Sequence, residues 1–129
     1  MAAGRRSMDD EKWAATREAV FKRDGGRCRL LRVIGARDAI LLKKNAGQQL
    51  QKIDPAHIYP VSKNIPLTYN IANIVSLNRY SHEMLDSCRH PVTGASISKE
   101  DVYEWWEQIA GKKQWEALTA LTEQEVENE

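Results

Sequence analysis

The stretch from Ile53 to Asp86 restricts the fold more than any other part of the chain. Pro55 opposes a helix across Ile53–Tyr59, while Ile58 and Tyr59 favour extended backbone. A loop over Pro60–Pro66 follows, and Asn70–Leu77 returns as a second short apolar segment. Arg79–Asp86 then has helical spacing. Pairing 53–59 with 71–77 as a hairpin, with 79–86 as the next helix, gives a ββα unit with one loose hairpin loop.

Around this unit the pattern is mainly helical. A first helix is expected from about Asp9 to Lys22, capped by Asp9 or Asp10, with Trp13, Arg17, Val20 and Phe21 at helical spacing. Arg23–Gly26 reads as a turn, because paired glycines after a helical pattern favour left-handed backbone. Cys28–Ile34 reads as a short strand or extended segment. Residues 36–51 read as a helix with a weak point at Asn45–Gly47. Arg89–Gly94 is a turn. Ser98 is the expected N-cap of a C-terminal helix carrying Val102, Trp105, Trp106 and Ile109. Gly111 interrupts it, and Trp115, Leu118 and Leu121 continue the pattern. The expected class is therefore α+β, a small, mostly helical domain built around a ββα unit.

With 129 residues the chain has the length of a single domain. Residues 1–8 read as a flexible start, 98–121 as a Trp-rich helix or pair of helices, and 122–129 as an acidic tail that frays. The longest uncharged apolar run, Ala39–Leu42, is far too short for a membrane span. The polar N-terminus has no apolar signal core. A cytoplasmic setting with reduced thiols is expected. Cys28 and Cys88 are too few for a disulfide framework or a four-thiolate zinc site, although a single bridge between them is an alternative to free thiols.

The net charge of +1 conceals a steep asymmetry. Residues 1–53 hold 13 Lys/Arg against 6 Asp/Glu, residues 54–98 hold 3 against 3, and residues 99–129 hold 3 against 9. A basic first half points to a polyanion, unless it is simply a solvated surface.

Two of the three histidines fall inside the ββα unit. His57 lies at the end of the first extended segment, Asn73 opens the second, and His82 lies on the helix. Hydrolysis of a phosphodiester needs a base to activate water and a cation to neutralise charge on the transition-state and leaving oxygens. A strand histidine, with an unperturbed pKa near 6.5, can serve as that base. A helix histidine helped by a carboxylate can hold the cation, and a loop asparagine can fix the backbone that orients the base.

These motifs, Asp54-x-Ala56-His57-Ile58-x-Pro60, Asn73, and Leu77-Asn78-x-x-Ser81-His82, resemble the HNH (His-Asn-His) endonucleases, especially small phage and prophage members. Trp13, Arg17, Val20, Arg23-Asp24-Gly25 and Cys28 resemble the helix and turn that lead into that domain, so the likeness spans residues 13–94. It implies a ββα-metal motif and divalent-metal-dependent cleavage of DNA. His57 would be the general base, Asn73 the residue that orders the loop and positions His57, and His82 a metal ligand. The ion implied is Mg²⁺ first, with Mn²⁺, Ni²⁺ or Zn²⁺ as alternatives.

Two departures matter. Many members place Asp or His immediately before the base, where this chain has Ala56. Asp54, on the same side of the strand, is the substitute ligand or else the residue that opens the turn before Pro55. Glu83 and Asp86 are further candidates. Many relatives also carry two Cys-x-x-Cys pairs around a structural zinc, and those positions here are Cys28, Leu31, Asn78 and Ser81. No structural zinc is expected, and the Trp-rich C-terminus is the expected replacement for its contribution to folding. His90 reads as structural or phosphate-contacting, and Cys88 as a small buried or half-buried hydrophobe.

DNA contacts are expected from Arg17, Lys22, Arg23, Arg27, Arg29, Arg32 and Arg79, with affinity from phosphates and little sequence preference. Two other functions compete with an active nuclease. One is a catalytically weak HNH-like domain that binds nucleic acid. The other is a protein-interaction module that uses the acidic, Trp-rich C-terminus.

Overall fold

The computed structural model describes residues 10–60 and 67–127, with side chains up to residue 123 at the C-terminal end. The expected flexible start, most of the Pro60–Pro66 loop and the last two residues lie outside the described residues.

Helix α1 spans Asp10–Asp24 and is oriented well for its own dipole, with Asp10 and Glu11 in the first turn and Lys22 and Arg23 in the last. Its buried residues, Thr16, Val20 and Asp24, recur every fourth position and form one narrow stripe. The helix ends where Gly25 and Gly26 take positive φ, and the amide of Gly26 closes back on the Phe21 carbonyl at 2.8 Å.

Cys28–Ile34 is not a strand. Arg29–Arg32 is a single 3₁₀ turn, and it buries Leu30 completely. A strand there would need a third ladder partner, and among the described residues β1 and β2 pair only with each other. Helix α2 covers Ala36–Ala46 and stops at the expected weak point, where Gly47 adopts φ 56°. Gly47–Gln51 continues as a 3₁₀ turn instead of completing one helix to residue 51.

Strands β1 (Ile53–His57) and β2 (Ile74–Asn78) form an antiparallel pair in which Ile53 faces Asn78 and His57 faces Ile74. Both strands are shorter than the expected segments. Ile71–Asn73 is a 3₁₀ turn, begun by Asn70, whose side-chain oxygen accepts from the Ala72 amide. Helix α3 (Arg79–Asp86) follows β2 directly, with Asn78 as its N-cap. Helix α4 (Lys99–Ala110) starts at Ser98, whose hydroxyl accepts from the Asp101 amide at 3.0 Å, as expected. Gly111, at φ 85°, breaks the chain into helix α5 (Lys112–Glu127). The acidic end, expected to fray, is helical through Glu127.

The architecture is therefore mostly helical around one small antiparallel sheet. Every residue of β2 is buried, because α1, α3 and the neighbouring 3₁₀ turns pack against it. A single apolar cluster joins Ala56, Val75 and Leu77 of the hairpin to Leu42, Leu85, Trp106, Ile109 and Leu118 of the helices. Trp106 is buried, and Trp105 and Trp115 are half-buried against this cluster, so the tryptophans pack the core as expected. No helix among the described residues is long and apolar enough to cross a membrane.

Candidate active site at the end of the hairpin

His57 is the last residue of β1. Trp13 of α1 stacks on its ring, with centroids 5.2 Å apart and planes 22° apart. The ring nitrogen Nε2 lies 2.9 Å from the Thr68 carbonyl oxygen. A carbonyl can only accept, so Nε2 carries the proton and Nδ1 keeps its lone pair. Burial under Trp13 pushes the imidazole below its usual pKa. The Thr68 hydrogen bond opposes that shift, the nearby His82 adds to it, and Asp86 opposes it. His57 is thus oriented and biased toward its neutral, basic form.

Asn73 is completely buried and uses both ends of its amide. Its oxygen accepts from the Tyr59 amide at 2.8 Å, and its nitrogen donates to the Tyr59 and Leu67 carbonyls at 3.1 and 3.3 Å. It therefore ties together the two ends of the hairpin connection. Leu67 immediately precedes Thr68, whose carbonyl holds His57.

His82, on the second turn of α3, lies between two carboxylates. Its Nδ1 is 3.0 Å from Asp54 Oδ2, and its Nε2 is 3.3 Å from Asp86 Oδ2. Asp54 also receives Arg79, whose Nη2 donates to Oδ1 at 2.9 Å and whose Nε reaches both oxygens at 3.3 Å. Burial pushes the Asp54 carboxyl up. Hydrogen bonds from Arg79 and His82 outweigh that, so the group stays below the usual carboxylate range. Asp54 is therefore an ionised acceptor, and His82 donates to it through Nδ1–H. In the neutral ring, Nε2 then carries a lone pair facing Asp86. Desolvation raises the Asp86 carboxyl, although its side chain is 60% exposed and water screens most of that effect.

Two of the expected contact residues meet partners within the protein. Asp54, proposed as a ligand, has its oxygens committed to Arg79 and His82, and it does not act merely as the opener of a turn. Arg79, proposed as a phosphate contact, forms an ion pair with Asp54. Glu83 stays exposed, whereas Asp86 Oδ2 meets Nε2 of His82. Among the described residues, no group of three or more His, Cys, Asp or Glu forms a ready metal cage. His82 and Asp86 offer two donors, which suits an ion that completes its shell with water and phosphate oxygens, as Mg²⁺ does.

Three of the four positions matched to zinc cysteines meet in one buried hydrogen-bonded cluster. Cys28 Sγ accepts from both the backbone and side-chain nitrogens of Asn78, each at 3.3 Å. Asn78 also bonds to Ser81 through its side-chain amide and its capping oxygen, and Ser81 Oγ donates to the Pro91 carbonyl at 2.8 Å. The fourth, Leu31, is exposed. Cys28 is a buried free thiol, and Cys88 is free and exposed at φ 57°. No bridge joins them, and Cys88 is not the buried hydrophobe expected. His90 is structural, since its Nδ1 accepts from the Val92 and Thr93 amides and its ring meets Trp105 edge-on.

The expected basic face divides in two. Arg17, Lys22 and Arg27 are exposed. Arg23, Arg29 and Arg32 are instead bonded within the protein around Asp24, a carboxylate only 1% exposed. Arg23 takes both of its oxygens, Arg29 donates at 2.9 Å, the Ser76 amide donates at 3.0 Å, and Arg32 takes the Asp24 backbone carbonyl. Burial raises this carboxyl, but the hydrogen bonds and charges outweigh it and bring it down to about 2. The sequence pattern places Asp24 in a turn, whereas it closes α1. Its four-residue spacing from Val20 and the arginines around it were the signals of a buried anchor. Trp13 was placed on a helix, but nothing in the sequence pointed to its stack on His57.

Comparison with protein-family models, with curated proteins and with solved structures finds no match.

Proposed function

We propose that this chain is a metal-dependent nuclease, a hydrolase of phosphodiester bonds, and more particularly an HNH-type endonuclease acting on DNA with weak sequence preference. The observation that carries this reading is the state of His57. Thr68 holds its Nε2–H, which leaves Nδ1 as the basic atom of a ring whose charge is influenced by His82, itself flanked by carboxylates. The joining of Cys28, Asn78 and Ser81 adds support, because it brings together three positions that the resemblance relates to a common zinc site.

In this mechanism, His57 Nδ1 takes a proton from the attacking water, and Trp13 and the Thr68 carbonyl keep the ring aligned. Asn73 fixes the backbone on which that carbonyl sits. His82 Nε2 and Asp86 would hold the divalent ion, most suitably Mg²⁺, with Mn²⁺, Ni²⁺ or Zn²⁺ as alternatives. When bound, the ion neutralises charge developing on the phosphate and leaving oxygens. Asp54 accepts the Nδ1 proton of His82 and so directs Nε2 outward, the usual arrangement behind a ligating imidazole.

Plasmid nicking tests the reading. Wild type with Mg²⁺ or Mn²⁺ should convert supercoiled DNA, EDTA should stop it, and His57→Ala should slow it by roughly 10²–10⁴. Failure of metal-replete wild type to cut any DNA form rejects it. The two-donor site favours one competing reading, a catalytically weak domain that binds DNA. That reading predicts DNA binding at low salt with no nicking.

A further inference from the structure

We propose that a basic groove between the end of α1 and the start of α5 carries the backbone of duplex DNA toward His57. This proposal rests on the nuclease reading above. The groove has a volume of about 560 Å³ and is lined by Arg23, Arg29, Arg32, Lys112 and Lys113 against the single carboxylate of Asp24. Those five cations come from three separate elements: the last turn of α1, the 3₁₀ turn and the first turn of α5. The lysines belong to the 99–129 segment, which is acidic overall, so linear charge counting hides them.

The floor favours an anion. Arg23 donates to the carbonyls of Ile71 and Ile74, both at 2.7 Å, and the Gln114 amide donates to Ala72 at 2.9 Å. These donors occupy the carbonyl oxygens that would otherwise repel a phosphate. Asp24 neutralises roughly one of the five positive charges and locks Arg23 and Arg29 in place. Arg32, Lys112 and Lys113 are exposed at the rim. The groove also adjoins the hairpin: Arg23, in its lining, donates to the carbonyl of Ile74, the cross-strand partner of His57. Regularly spaced phosphates suit such a run of cations better than a single small anion does.

The test is fluorescence anisotropy of a labelled DNA duplex with the full chain in EDTA, where binding is read without cleavage. Lys112→Glu/Lys113→Glu should weaken binding at least ~10-fold and flatten the dependence of affinity on salt by about two phosphate contacts. Lys43→Glu/Lys44→Glu, on the exposed side of α2 and outside the groove, should change neither. The proposal is overturned if the groove variant binds like wild type, if both variants lose equally, or if polyglutamate displaces the duplex at equal charge. Hydrolysis of bis(4-nitrophenyl) phosphate separates this idea from the nuclease reading, since so small an ester does not span the groove. Equal hydrolysis by wild type and the groove variant, with DNA affinity lost, supports both. No hydrolysis by either, with DNA affinity still lost in the groove variant alone, rejects the nuclease and leaves the groove standing.

Discussion

At the scale of single residues, burial and a few hydrogen bonds set the chemistry. The folded protein lowers the pKa of His57, so its base form persists below the usual histidine range. The acid limb of nicking against pH should therefore have its midpoint below 6.5, and Trp13→Ala should move that midpoint upward by uncovering the ring. An unmoved limb would reject the role given to Trp13. For His82, the roles of the two carboxylates can be separated by metal titration. Asp86→Ala should raise the metal concentration needed for half-maximal nicking more than Asp54→Asn does. Asp54→Asn, acting through the orientation of His82, should still raise it about 10–100-fold. The reverse order would return the ligand role to Asp54.

At the scale of elements, polar anchors join pieces that apolar patterning leaves unlinked. Asp24 fastens the end of α1 to the middle of β2 through the Ser76 amide, while its arginines reach the turn before β2 and the junction of α4 and α5. Its carboxyl is brought down to about 2 in the fold from the 3.8 of an ordinary aspartate, so it binds fewer protons folded than unfolded. The stability it supplies, about 2 kcal/mol, is present above pH 3.8 and is lost as the pH falls through 2. Asp24→Asn should cost about 3 kcal/mol at neutral pH in urea unfolding, because two arginines lose their counter-charge, and it should remove most of that acid dependence. The Cys28–Asn78–Ser81 cluster should behave as a separate anchor. Ser81→Ala leaves a buried Asn78 amide and the Pro91 carbonyl short of a partner, and should cost about 1–3 kcal/mol.

At the scale of the whole molecule, the Trp-rich C-terminus closes the core over the hairpin and α2. Trp106 is 3% exposed and packs in the same cluster as Leu42, Ala56 and Leu118. Trp106→Ala should cost about 3–5 kcal/mol, read as a lower melting temperature, with no change in the metal concentration that supports nicking. A variant that melts like wild type would show that the helical layer contributes little to the domain. The same layer carries Gln114, whose side chain bridges Arg29 to the backbone before β2, so the C-terminal helices also shape the groove floor.

The sequence by itself determined the order and type of most elements. Pro55 and the β-branched residues marked the extended segments, Ser98 marked the start of α4, and glycines 25, 47 and 111 marked ends that side chains with a Cβ would strain. It also placed His57, Asn73 and His82 on one supersecondary unit, because their spacing follows the periods of strand and helix. Only the tertiary structure decided what those residues face. Whether Cys28–Ile34 forms a strand depends on a partner, and no local propensity supplies one. Which arginines stay free depends on where Asp24 is buried. The partners of Asp54 depend on Arg79, twenty-five residues away along the chain and in contact with it in space. Contacts of that kind are set by how elements pack, and the linear pattern records the elements without recording their neighbours.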